Sequence, residues 1–394
     1  MGHQAAIRAR QPAVNLSRVA VIGGGIVGTA AATFLAEAGF EVTLHEGEAL
    51  GAGASGRNSG VVQLPFDPAL WPLYDGTVAA YRALAEAVPE AGFRLPDRPT
   101  GLLLVSQDHD LVGRLAGDLA ATAPVMRPEV LAGPALEAAD PALAPDVAAC
   151  RLDVGFPVVP SAPTYAFATW AERRGVRIRV GHPVRPVLDG SRVVGVEVDG
   201  RLEPADAVLV AAGPWTPGLV DPSGAWRPIV PRWGVVVETL LEDPPRHVIE
   251  EAEMDEVVGP PGLIEDETAH AAPTSSVVTA GGVSVVGSTF LPAEPVPADW
   301  TERLLERCLR FVPGLIAAPI RETRACARPV SVDGRPLLGA VPGAEGLFVC
   351  AGHGPWGIST GPGSARLVVD LMLGQDQAIP PELDASRFGA PPLD

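Results

Sequence analysis

The chain has 394 residues, a soft prior of two to three domains or two interleaved ones, and its 47% apolar and 19% charged content is that of a globular protein. Gly (44) and Pro (42) stay just under the compositions that mark disorder, and no run of 18 apolar residues offers a membrane span. A net charge of −18 excludes a general basic surface for nucleic acid or anionic lipid, and all 29 basic residues are Arg, which excludes lysine chemistry of every kind.

Residues 1–17 hold two arginines, no acid and no apolar core of a secretory signal. They predict a flexible extension of a cytoplasmic protein, with a transit peptide as the alternative. Arg18–Ile22 (RVAVI) reads as a strand, 26–38 as a helix ended by Gly39, and 41–45 as a second strand. This is a βαβ start. Between strand and helix, Gly23, Gly25 and Gly28 fit GxGxxG: one for the tight turn, one for phosphate approach, one for helix–strand contact. The same pattern occurs at Gly51–53–56 and Gly352–354–357, so spacing alone proves little. Context separates them, because only the first is followed by an acid, Glu46, at the end of the next strand. A carboxylate there accepts ribose hydroxyls and argues against a 2′-phosphate, leaving FAD or NAD.

A loop of small residues covers 49–60, helices are expected at 76–87 and 111–121, and Pro punctuates 124–163. Next come a helix at 164–174 and strands at Arg177–Val180, 193–198 and 207–211. Strand-like pieces at 234–239, 276–278 and Val283–Gly287, joined by acidic, Pro-rich loops, predict an antiparallel sheet outside the nucleotide fold. A helix at 298–311, a strand at 347–350, a loop at 351–360 and a helix at 361–373 complete the chain. Cys150, Cys308, Cys326 and Cys350 form no CxxC pair, which fits a reducing compartment and argues against a metal site or a disulfide framework.

Four segments, in order, carry a resemblance: Gly23 to Glu46, 53–60 (GASGRNSG), 207–216 (AVLVAAGPWT), and 328–339 (RPVSVDGRPLLG) followed by 346–353 (GLFVCAGH). Together they resemble the D-amino-acid oxidase superfamily of FAD-dependent oxidoreductases, with glycine oxidase and sarcosine oxidase the most similar-looking members. The resemblance implies an α/β fold in which a Rossmann-type FAD-binding domain is built from discontinuous segments (18–80, 150–222 and 325–394). An antiparallel-sheet substrate domain (81–149 and 223–324) would be inserted between them.

The resemblance also assigns roles. Ser55, Arg57 and Asn58 are expected donors to the pyrophosphate and flavin, Val184 a backbone contact of adenine, and Gly213 part of the dinucleotide turn. Residues Gly357, Ile358, Ser359 and Thr360 stand at a predicted helix N-terminus, whose free N–H groups would supply positive potential at flavin N1 and C2=O. Arg328 matches the position that grips the substrate carboxylate. His353 is either a flavin-proximal group or a histidine satisfied by backbone. Cys326 lies seven residues before Asp333, a spacing like that of a flavin-linking cysteine, although a buried inert thiol is the commoner case. Trp226, Trp233 and Trp356 are candidate pocket walls or core.

The activity implied is oxidation of the C–N bond of an amino acid or related amine. Hydride passes from the α-carbon to flavin N5, the imine is hydrolysed, and O2 is reduced to H2O2. The alternative is an amino-acid or hydroxy-acid dehydrogenase that passes electrons to a quinone or protein. An NAD-dependent dehydrogenase and a subunit with structural FAD are further rivals. Two departures bear on substrate and acceptor: no tyrosine follows Tyr165, and there is no lysine for oxygen activation.

Overall fold

A computed structural model describes residues 17–253, 273–375 and 378–392. The expected extension therefore lies outside the described residues except for Ser17, whose backbone N–H and hydroxyl both donate to the Asp206 carboxylate, at 3.0 and 2.9 Å.

The β-branched run Arg18–Ile22 is the centre of a six-stranded sheet. Its neighbours are Glu41–Glu46 and then Arg177–Val180 on one side, and Ala207–Val210, Leu347–Ala351 and Leu337–Ala340 on the other. Every pair is parallel except the last, where Leu337–Ala340 runs antiparallel at the edge. Such a sheet needs cover on both faces. One face is packed by helices, and the other by the three-stranded meander Val184–Asp189, Arg192–Val198 and Arg201–Pro204 through Val193, Val196 and Val198.

The helices are α1 (Ile26–Glu37), α2 (Ala54–Arg57), α3 (Trp71–Ala87), α4 (His109–Thr122), α5 (Pro134–Ala139), α6 (Ala162–Arg173), α7 (Thr216–Val220), α8 (Thr301–Leu309) and α9 (Gly357–Met372). Ala30, Ala31 and Ala32 of α1 are fully buried, so α1 fits closely between α6 and α9. Phe34 and Phe167 meet edge to face across the α1–α6 seam, with ring centroids 5.8 Å apart.

The second sheet has eight strands in the order Ile320–Ser331, Ile229–Thr239, Val283–Gly287, Ser276–Ala280, Val248–Glu251, Leu102–Ser106, Ala148–Leu152 and Glu129–Ala132. It is antiparallel except where Val248–Glu251 pairs parallel with Leu102–Ser106, the seam between its two sequence segments. The expected divisions at 150 and 325 fall inside strands of this sheet. Residues 325–331, Arg328 included, are carried by the long strand Ile320–Ser331, paired along its length with Ile229–Thr239. Conversely, residues 81–87 continue α3, which packs on α9 beside the six-stranded sheet. Among the described residues no helix is long and apolar enough to cross a membrane.

Candidate functional site

A cavity of about 440 Å³ runs from the C-terminal end of Arg18–Ile22 to the long strand of the eight-stranded sheet. At its first end stand the glycines of the first turn. Gly23 adopts φ +114°, and a Cβ there would stand 2.5 Å from the Ala211 carbonyl oxygen. A Cβ on Gly28 would press into the Gly23 carbonyl oxygen well inside contact distance, so Gly28 lets α1 start tight against the strand without itself lining the cavity. Gly25 lines it.

Glu46 is oriented by backbone. Its two carboxylate oxygens accept from the N–H groups of Gly24 (2.6 Å) and Glu48 (2.8 Å), and the residue lines the cavity. Val184 and Gly213 line the same end.

The segment after Glu46 forms the single turn α2, and its geometry sorts the three expected donors. Residues three apart share a helix face, so Ser55 and Asn58 line the cavity whereas Arg57 points outward and lies 3.9 Å from Glu48. Ser55 Oγ accepts from the Ile26 N–H at 2.9 Å. Asn58 spends its amide locally, donating to the carbonyls of Ala54 and Ser55 and accepting from the Gly60 N–H. Behind the turn, buried Arg324 donates to the carbonyls of Arg57 and Asn58 and pairs with Glu238, tying α2 to the long strand.

At the other end stand Cys326, Arg328 and Pro329 of the long strand, Cys350, His353, Gly357 and Ile358. Gly357 and Ile358 open α9, which begins four residues earlier than the helix expected at 361–373. Ser359 and Thr360 lie behind them: Ser359 Oγ accepts from the Gln63 N–H (3.0 Å), and Thr360 Oγ1 donates to the Trp356 carbonyl (2.8 Å).

Arg328 is a cation held without an acid among the described residues. Its Nη1 donates to the Thr289 carbonyl (2.7 Å), its Nη2 to Ser288 Oγ (2.6 Å), and the guanidinium lies 4.3 Å from the Phe290 ring centroid. Burial lowers its pKa, yet a guanidinium stays charged. Gly234 on the facing strand makes the room, since any Cβ there would collide with the guanidinium. Two of the five N–H donors are spent on these bonds. The other three have no partner among the described residues.

His353 is joined to Val330 of the same strand by an isolated bridge. It is buried, its Nε2 has no partner, and desolvation pulls its pKa down to about 4. It is therefore neutral at physiological pH. Unfolded, a histidine takes up its proton near pH 6.5; folded, His353 resists it until about 4. Stability is thus lost as pH falls from about 6.5 towards 4, by about 3 kcal/mol for this group. Denaturation of the apoprotein at pH 7 and pH 4.5 should show His353→Asn losing less stability on acidification than wild type. An equal loss would contradict a buried neutral imidazole.

Burial pushes the Cys326 thiol up, against the pull of Arg328 and Arg324. Trp226, Trp233 and Trp356 serve as core or packing residues, and the cavity wall is Trp215 instead. Its exposed indole covers Gly53 at 3.4 Å from the position of a Cβ. Trp215 sits in the 207–216 segment, and Cys326, already singled out in the sequence, stands two residues before Arg328 on the same strand face.

A family model described as FAD dependent oxidoreductase matches residues 18–371. The chain belongs to that family. FAD is the family's cofactor, and the residues present fit it: the glycine cradle that any Cβ would fill, the carboxylate of Glu46 at the strand end, and a helix N-terminus at each end of the cavity. The chain is 26% identical to the solved iminodiacetate oxidase of a Chelativorans species, covering 95% of this chain and 99% of that one with a TM-score of 0.76. Glycine oxidase from Bacillus cereus shares the fold at 24% identity, with 92% and 96% covered and a TM-score of 0.78. Among curated proteins, a D-amino acid dehydrogenase of Xylella fastidiosa is 30% identical over 229 residues, 57% of this chain. The match spans about half (49%) of that relative's length.

Proposed function

We propose that the protein oxidises the C–N bond of a small amino acid or related amine that carries a carboxylate, with O2 as the electron acceptor. The observation that carries this reading is Arg328, a half-buried cation that lines the cavity with no acid partner among the described residues. A planar carboxylate matches the guanidinium fork and restores local charge balance. Holding the acid there would turn the amine-bearing carbon towards the first turn of α9.

FAD supplies, when bound, the two-electron acceptor for the hydride that leaves the α-carbon, and O2 then takes those electrons as H2O2. Glu46, Gly23, Gly25, Ser55, Val184 and Gly213 would hold the ADP half of the dinucleotide. The N–H groups opening α9 would face the electron-rich edge of the flavin. Cys350, Ala351 and His353 would line the flavin end of the site. Neutral His353 contributes hydrogen bonding through Nε2 rather than a positive charge. The substrate enters as the free amine, and water hydrolyses the imine to an oxo acid. The four unpaired, buried cysteines suit a reducing compartment such as the cytoplasm.

A dehydrogenase is the second reading, favoured by the likeness to D-amino acid dehydrogenase. The two separate in one assay of glycine, sarcosine, D-amino acids and cyclic imino acids, with and without a soluble quinone in air. H2O2 in step with substrate loss without quinone supports the oxidase. Turnover that requires the quinone overturns it in favour of the dehydrogenase.

A further inference from the structure

Helix α9 contains a proline at its sixth position, Pro362. In a regular helix the N–H of residue 362 would donate to the carbonyl of Ile358; proline has no N–H, so that carbonyl is orphaned inside the protein. Ile358 lines the cavity and stands in the first turn of the helix. Its carbonyl is taken by another helix: the phenol of Tyr81, on α3, donates to it at 2.7 Å. Tyr81 is fully buried, and burial holds its pKa well above the ordinary value, so the O–H remains a donor.

The same face of α3 makes a second contact one turn earlier. Thr77 Oγ1 accepts from the Gly363 N–H at 2.9 Å. Gly363 is small for a reason, because a Cβ there would run into the Leu73 backbone of α3. Thr77 and Tyr81, four residues apart, therefore read the backbone of α9 on both sides of Pro362.

We propose that Tyr81 is a positioning residue of the cofactor site: by bonding the carbonyl that Pro362 leaves free, it fixes the direction of the first turn of α9 against the dinucleotide. The proposal rests on the reading that this turn borders the flavin. Tyr81 does not line the cavity that Ile358 lines, and its effect is exerted through Ile358.

The test is a cycle of Tyr81→Phe, Pro362→Ala and the double variant, read by FAD dissociation constant and by the shape of the bound flavin's visible band. Tyr81→Phe keeps the ring contacts with Phe93 and Phe167 but orphans the carbonyl. It should weaken FAD binding by roughly 10- to 100-fold, the scale of one unsatisfied buried acceptor, and alter the band. Pro362→Ala restores an N–H within the helix, so the double variant should recover FAD affinity to within a few-fold of wild type. If Tyr81→Phe does not fold, the double variant decides: folding with near-wild-type FAD affinity supports the proposal, and failure to fold overturns it. FAD affinity and spectrum unchanged in Tyr81→Phe, with only the melting temperature lowered, would also overturn it. Wild-type protein that binds no FAD would instead overturn the cofactor reading on which the proposal rests.

Discussion

Replacing Arg328 by Met is expected to lower kcat/KM for a carboxylate-bearing amine by about 2–5 kcal/mol, roughly 30-fold to several thousand-fold, with FAD content unchanged. The size follows from what the guanidinium faces: its two recorded hydrogen bonds go to the neutral Thr289 carbonyl and Ser288 hydroxyl, and the remaining donors await an anion. The stability effect should have the opposite sense. A half-buried cation that is desolvated and has no acid partner among the described residues costs the apoprotein energy, so Arg328→Met should leave the melting temperature unchanged or raise it. Activity lost while stability holds identifies a ligand-binding group. An unchanged kcat/KM for a carboxylate substrate would end this assignment.

The second large effect belongs to Gly28. A Cβ there would collide with the carbonyl oxygen of Gly23, and both partners are fixed backbone, one at the strand end and one in the first turn of α1. The clash is relieved only by moving α1 off the strand, which would open the turn proposed to present N–H groups to the pyrophosphate. Gly28→Ala is expected to destabilise the protein by about 3 kcal/mol, the upper end for overpacking, and to yield protein purified without its yellow colour. A yellow Gly28→Ala variant with wild-type melting temperature would contradict the tight strand–helix junction.

Much of the cofactor half was legible in the sequence because local and tertiary signals agree there. The strand Arg18–Ile22, the glycines and the acid at Glu46 each satisfy a local rule and the sheet at once. The long strand Ile320–Ser331 was missed. Its inner face carries Arg324, Cys326 and Arg328, polar where a strand facing a core would be apolar, because that face serves α2 and the cavity. The start of α9 was set too late for a related reason: Gly357, Gly361, Pro362 and Gly363 have poor helix propensity, and the helix is held there by Thr77 and Tyr81 of α3, a contact with no local trace. Arg57 was assigned to the cofactor through the resemblance of its segment, and only the turn geometry of α2 shows it facing outward. Trp215 was passed over for Trp226, Trp233 and Trp356, since an indole covering a glycine across 162 residues of sequence leaves no periodic signal.

The measurement that bears most directly on the whole account is the visible absorbance of the purified protein, recorded anaerobically during additions of amino acids and of the same amines lacking the carboxylate. The account predicts a flavin band that is bleached by carboxylate-bearing amines, is untouched by their decarboxylated counterparts, and returns when air is admitted. A band bleached equally by both would contradict the role given to Arg328, and protein with no flavin band would contradict the cofactor site itself.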